Sequence, residues 1–327
     1  MHRSRRRFLG NSMAMLLAGA LPAWAAGPET EVNTLVFGVP PGAVGERLAG
    51  RTLAMLAAQY QANYELQIVP THNTQDATRQ VKIAPADGST LLQVQSGSMV
   101  LFPSMYRKLD YDPLADFTPL GLLGAYDYAL AVGPAVPASV RTVDQYLAWV
   151  QRNPDYRDLG FTLYGSQGHL GSLMLARIKE IALRPQAYHG PLAMFSDLRD
   201  GQLAAALVVS SNQKLLGGGS IRALAVSSAE RLQAWPEVQT FAEQGLPELI
   251  LDGWYGWFAP AALPAAQAAN LTRMLRGVQA SQDYQAMQQD LLLRPALLTP
   301  AQIHSRMREE IDRYAGLVKT YGLGPIG

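Results

Sequence analysis

The chain has 327 residues, 48% hydrophobic and 16% charged, with 27 Lys and Arg against 26 Asp and Glu and no Cys. This composition suits a packed globular chain and excludes intrinsic disorder and low-complexity sequence. Without Cys there are no disulfides and no thiolate chemistry, and the near-balanced charge leaves no basic stripe for nucleic acid.

The first elements in chain order are those of an export leader. A basic start precedes an apolar stretch from Met13 to Leu21 and an A-x-A site at Ala23-Trp24-Ala25. The stretch is shorter than the roughly 20 residues of a membrane span. Residues 1–25 are therefore expected to be a signal peptide, and Ser4-Arg5-Arg6-Arg7-Phe8-Leu9 resembles the twin-arginine address. Its loss removes four arginines and no acids, leaving 23 basic against 26 acidic residues, a net charge of −3.

Beyond the leader, short β-rich runs alternate with helical stretches. Strands are expected at Leu35–Val39, Leu66–Val69 and Thr90–Gln95, the last after the turn Ala86-Asp87-Gly88. Further strands are expected at Leu120–Ala125, Ala129–Val132, Phe161–Leu163, Gln186–Tyr188, Ala205–Val209 and Arg222–Val226. Helical spacing marks Glu46–Gln61, a stretch ending near Ile83, Val143–Asn153 and a helix from Leu170. Thr299-Pro300-Ala301-Gln302 has the residues of a capping box with Pro at the first helical position, opening a last helix striped by Ile303, Met307, Ile311 and Tyr314. The alternation implies an α/β fold with parallel sheets covered by helices. Ligands in such folds lie beyond the carboxyl ends of strands, which selects the loops Pro40–Gly45, Thr71–Thr74 and Gly165–Gly168.

The loop at Pro40-Pro41-Gly42-Ala43 carries neither the P-loop pattern nor the dinucleotide fingerprint. The run Gly217-Gly218-Gly219-Ser220 reads as a flexible turn. Of the five His, His2, His72, His169, His189 and His304, no two stand at i, i+4 on one helix, so neither a metal nor a cofactor is expected. "YGSQGHL" offers Ser166 and His169, but Gly165 adjoins Ser166 and breaks the G-x-S-x-G elbow. Ser166 reads as a helix cap or an anion donor, with a secreted serine hydrolase as the rival reading, and His169 as either a packed or a ligand-facing residue. Arg47 and Arg51, four apart, read as a solvated face. The remaining chemistry is a noncatalytic anion site at helix N-termini, where free N–H groups and about half a positive charge converge. Four or five charge-assisted hydrogen bonds of about 1.5–3 kcal/mol each reach the roughly 8 kcal/mol of micromolar affinity.

Several segments together resemble the solute receptors of tripartite tricarboxylate transporters, the Bug (TctC-like) family. They are Pro40-Pro41-Gly42-Ala43, Ala86–Leu92, "MYRKLDYDPLADF" at Met105–Phe117, Gly165–Leu170, Ala187–Gly190, "IRALAVSSAERLQAWPEVQTFAEQGLPE" and the later Trp254-Tyr255-Gly256. The match runs in order over about residues 33–323. The resemblance implies a type II periplasmic binding protein: two lobes, each a central β-sheet flanked by helices, with the ligand cleft between them. The implied division is 32–128 plus 253–327 for lobe 1 and 129–252 for lobe 2, with crossings near Ala125–Val132 and Leu249–Trp254. It implies no enzyme activity, a small organic acid as ligand, a membrane permease or a sensor protein as partner, and a monomer in the periplasm.

Ligand contacts implied by the resemblance fall on Pro41, Gly42, Ala43, Val44, Ser96, Gly97, Ser98, Ser166, Gly168, His169 and Tyr188. Two departures bear on the site. Ala43 replaces a second Gly, which costs about 1 kcal/mol if that position needs φ > 0. "PTHNTQ" replaces a Gly-rich loop, so His72 and Asn73 are expected to project side chains toward the ligand.

Overall fold

The computed structural model describes residues 33–212, 219–323 and 325. The leader lies outside the described residues, and so does part of the Gly217–Ser220 run. Among the described residues no helix is long and apolar enough to cross a membrane.

One nine-stranded sheet organises the chain, in the order β2-β1-β3-β9-β4-β7-β5-β6, with β8 also paired to β4. The strands are β1 Asn33–Phe37, β2 Tyr64–Ile68, β3 Thr90–Gln95, β4 Phe117–Val132, β5 Asp158–Thr162, β6 Arg184–Tyr188, β7 Ala205–Val209, β8 Arg222–Val226 and β9 Asp252–Pro260. The helices are α1 Val44–Tyr60, α2 Gln75–Lys82, α3 Gly97–Val100, α4 Phe102–Met105, α5 Val143–Arg152, α6 Gln167–Ile178, α7 Pro191–Arg199, α8 Ala265–Gln279, α9 Gln282–Asp290 and α10 Pro300–Thr320.

β4 is where the two halves join. Its sequence reads as two strands, Leu120–Ala125 and Ala129–Val132, but the backbone runs on as one strand of 16 residues, almost wholly buried. A strand covered on both faces needs no polar alternation, so periodicity does not mark its length. From Phe117 to Asp127 it pairs antiparallel with β9, and from Tyr128 to Val132 it pairs with β7 and β8. One half thus holds the parallel trio β2-β1-β3, and the other holds β6-β5-β7.

Side chains brace the join. Asp127, 1% exposed, accepts from the Arg294 guanidinium at 2.8 and 3.1 Å. Ser227 Oγ accepts the Tyr128 N–H and donates to the Leu251 carbonyl. The buried Trp254 indole donates to Glu310 of α10 at 2.8 Å. The capping box at Thr299 forms as its sequence predicts, with the Thr299 hydroxyl on the Gln302 N–H and the Gln302 amide oxygen on the Thr299 N–H.

Candidate ligand cleft

The two parallel trios run in opposite directions, so each delivers its carboxyl ends toward the join. β1 ends in the loop Gly38–Ala43, β2 in Val69–Thr74, β3 in Ser96, β5 in Leu163–Ser166, β6 in His189–Gly190 and β7 in Ser210. The loops of the two halves face one another across a cleft of about 600 Å³, lined on one side by Gly38–Pro40 and Pro70–Thr74. Thr162–Tyr164 and Ala187–Gly190 line the other. Gly38, Val39, Thr74 and Leu163 also line a smaller space of about 10 Å³ deeper in, so the two adjoin. The inner space is reached by Gln95, Gly97, Ser98, Ser166, Gln167 and Tyr126. Among the described residues, no Lys, Arg, Asp or Glu lines either space.

Contacts between the halves flank the cleft. A Cβ on Gly42 would sit 2.8 Å from Leu192 Cγ, and one on Gly190 would sit 3.3 Å from Pro40. Gln167 Nε2 donates to Ser96 Oγ at 3.0 Å. Asn73 Nδ2 donates to the Tyr164 carbonyl at 2.6 Å and to the Tyr106 hydroxyl at 2.7 Å.

The loop bearing Asn73 is strained. His72, Asn73 and Thr74 have φ of 46°, 52° and 72°, a left-handed run that costs of order 1–3 kcal/mol per residue. His72 Nδ1 bonds Asp76, whose carboxyl is held below its usual range by hydrogen bonds from Thr71 and then His72. Asn73 is the one side chain of that run that bridges the cleft. Asn73→Ala is expected to weaken ligand affinity about threefold to tenfold, the worth of one hydrogen bond of about 1 kcal/mol, through faster release. Stopped-flow dissociation measures it.

The structure separates the predicted site residues. His72, Asn73 and Tyr188 line the cleft, and Gly97, Ser98 and Ser166 line the inner space. The Tyr188 hydroxyl donates to Asp197 at 2.8 Å, and burial followed by that bond raises its pKa. Ser96 does not line the space but supports Gln167 and accepts the Trp254 N–H at 3.2 Å. Pro41, Gly42, Ala43 and Val44 are absent from the lining: from the first loop it is Gly38–Pro40 that faces the cleft. The Gly42 N–H donates to Glu46 Oε2 at 2.6 Å, while Ala43 and Val44 pack into the core. Ala43 is extended, with φ −70°, and Gly42 takes the positive φ of 87°, so the Ala costs no strain. Gly168 packs on Tyr128, where a Cβ would meet the ring at 2.9 Å.

His169 stands behind the loop, on a separate groove with Met105, Tyr164 and Arg177. Its ring stacks on Phe161 at 4.5 Å between centroids, and its Nδ1 accepts the Gly165 N–H at 3.2 Å. Ser166 caps α6, accepting the His169 N–H at 3.1 Å and donating its proton to the Thr162 carbonyl at 2.9 Å. The hydroxyl and the imidazole therefore do not form a nucleophile–base pair. Burial lowers the His169 pKa from 6.5 to about 4. The neutral ring favours the fold fully above pH 6.5, and that contribution drains away as pH falls toward 4, about 3 kcal/mol in all. Urea midpoints are expected to fall more steeply over that window for the parent chain than for His169→Gln.

Sequence reasoning did not single out Thr74, Gln95, Thr162, Tyr164 or Gln167. It also passed over Ser210, Ser211 and Asn212 at the end of β7, all at most 5% exposed, whose Oγ, Oγ and Oδ1 find no partner among the described residues. A polar triplet directly after an apolar strand was the available signal, the same one that marks Ser96–Ser98.

The family model for the tripartite tricarboxylate transporter family receptor matches residues 71–323. The chain belongs to that receptor family. It is 30% identical over 243 residues to a UPF0065 protein from the tcbD-tcbE intergenic region of a Pseudomonas strain, covering 73% of this chain and 71% of that one. Among solved structures it is similar to R. palustris Rpa4515 with adipate, at 25% identity and a TM-score of 0.85 over 92% of this chain and all of that one. It also shares its fold with the periplasmic binding protein BugD, at 21% identity and a TM-score of 0.82 over 90% of this chain and 98% of that one. The family consists of binding receptors, and the fold is that of the two-lobed periplasmic binding proteins.

Proposed function

We propose that this receptor is a periplasmic protein that closes two lobes on one small carboxylate and delivers it unchanged to a permease of the tripartite tricarboxylate type. The lobes are 32–128 with 253–327, and 129–252, turning about β4 and the start of β9. The observation that carries the reading is the meeting of strand-end loops from both halves around a cleft that, among the described residues, holds backbone amides, hydroxyls and imidazoles but no catalytic pair. An acid there is held by N–H and O–H donors in a setting where such bonds are short and strong. The bond from Asn73 to Tyr164 suits a closed state that ligand contacts to both lobes favour. Rpa4515, solved with adipate, supports a linear carboxylate as the ligand class.

The leader sequence supports export to the periplasm. The family supports a permease as partner, and a sensor protein is the second possible recipient. No reaction is assigned: Ser166 is committed to capping and to Thr162. The test is thermal unfolding against a panel of C3 to C8 mono- and dicarboxylates, with mass spectrometry of ligand retained through purification. At least one acid is expected to raise Tm in a concentration-dependent way and to be recovered intact. No stabilisation by any acid, or conversion of a bound one, overturns the reading.

A further inference from the structure

The inner space beyond the cleft has an unmet hydrogen-bonding demand. Thr74 and Gln167, 7% and 1% exposed, come from opposite halves of the molecule and both line it. Thr74 Oγ1 and Gln167 Oε1 are buried and have no hydrogen-bond partner among the described residues. Leaving each unmet costs about 1–3 kcal/mol, so the space calls for an occupant.

Both atoms are held in place. The Gln167 amide nitrogen is bonded to Ser96 Oγ, which also accepts the Trp254 N–H, so Oε1 is the atom of this lining side chain left to pair. Gly97 makes room for it: a Cβ there would lie 3.3 Å from Oε1. Thr74 leans on Gly38, where a Cβ would stand 2.7 Å from the Thr74 Cβ. An occupant must therefore donate to an amide oxygen and accept from, or donate to, a hydroxyl. The room is about 10 Å³, that of one water-sized group. A hydroxyl oxygen meets both conditions. A carboxylate has two oxygens and no proton for Gln167 Oε1, and among the described residues no cation lines the space to offset its desolvation.

We infer that Thr74 and Gln167 form a hydroxyl-reading subsite, so that the cleft takes a monocarboxylate whose far end carries a hydroxyl rather than a second carboxylate. This rests on the carboxylate-receptor reading and narrows it. Such a site rejects the analogue lacking its hydroxyl more strongly than an apolar pocket rejects a missing methylene.

The test is calorimetric titration with matched sets of one length: 4-hydroxybutanoate, succinate and pentanoate, then 6-hydroxyhexanoate, adipate and heptanoate. In the better-fitting set the hydroxy acid is expected to bind at least tenfold tighter than both companions. Gln167→Met is expected to reduce that preference to within threefold by weakening the hydroxy acid alone. Thr74→Val, which keeps the side chain's shape, is expected to reduce it part of the way and carries the same test should Gln167→Met fail to fold. Equal or tighter binding of the diacid overturns the subsite while leaving the receptor reading intact. So does a preference unchanged in the variants, which would mean that a resident water satisfies the two atoms. Binding of no acid of any length to the parent chain overturns both.

Discussion

Arg294→Met is expected to destabilise the protein by about 2–3 kcal/mol, lowering its urea midpoint without changing the slope. The Asp127 carboxyl is 1% exposed, and burial lifts its pKa above the usual range even with Arg294 bonded to it. Removing the guanidinium leaves a buried acid that must either stay charged without its partner or take up a proton. The cost stays below the roughly 3–5 kcal/mol of a fully buried pair because the Arg294 side chain is half exposed and water replaces part of it. Asp127→Asn combined with Arg294→Met is expected to recover part of the loss, since it removes the charge with its partner. Arg294 also exchanges backbone hydrogen bonds with Ala125 at 2.8 Å, so the pair ties the segment after α9 to the strand that crosses between halves. A midpoint unchanged by Arg294→Met would show that the pair does not brace the crossing.

Gly253→Ala is expected to cost about 3 kcal/mol and to weaken acid binding at least tenfold. Gly253 lies on β9 opposite Tyr126 of β4, and a Cβ there would stand 2.4 Å from the Tyr126 ring and 2.5 Å from its hydroxyl. Tyr126 cannot yield cheaply: it is fully buried, with the Tyr255 and Tyr128 rings at 4.8 and 5.8 Å. Overpacking of this kind costs about 1–3 kcal/mol, at the upper end where the neighbours are rigid rings. Because Tyr126 also lines the inner space, the strain reaches the ligand. Gly253→Ala with Tyr126→Leu is expected to be less destabilised than the sum of the two single changes, the sign of a direct steric coupling. Additive effects would place the cost elsewhere.

Much of this was legible in the residues. Thr90–Gln95, Ala205–Val209 and Arg222–Val226 are strands over the predicted ranges, because β-branched and apolar runs bounded by turn residues carry a local signal. The caps at Ser166 and Thr299 form as their chemistry dictates. The continuity of β4 was not legible, since a doubly buried strand has no period, and β9 was read as a motif rather than a strand.

The cleft was legible as a set of strand-end loops but not residue by residue. Sequence places His169 beside Ser166; it does not say that one turn of α6 carries the imidazole behind the loop onto Phe161. Nor does it show that Glu46 takes the Gly42 amide, a contact set by the first turn of α1. Gln167 escaped notice because its importance comes from an atom left without a partner, which only the packing of both halves reveals.

The most direct measurement is a crystal structure of the receptor grown with its tightest-binding acid. The receptor reading predicts one intact acid per chain, enclosed between Gly38–Pro40 and Pro70–Thr74 on one side and Thr162–Tyr164 and Ala187–Gly190 on the other, its carboxylate on N–H and O–H donors. An acid bound elsewhere, a cleft filled by the protein's own side chains, or a chemically altered ligand would contradict it.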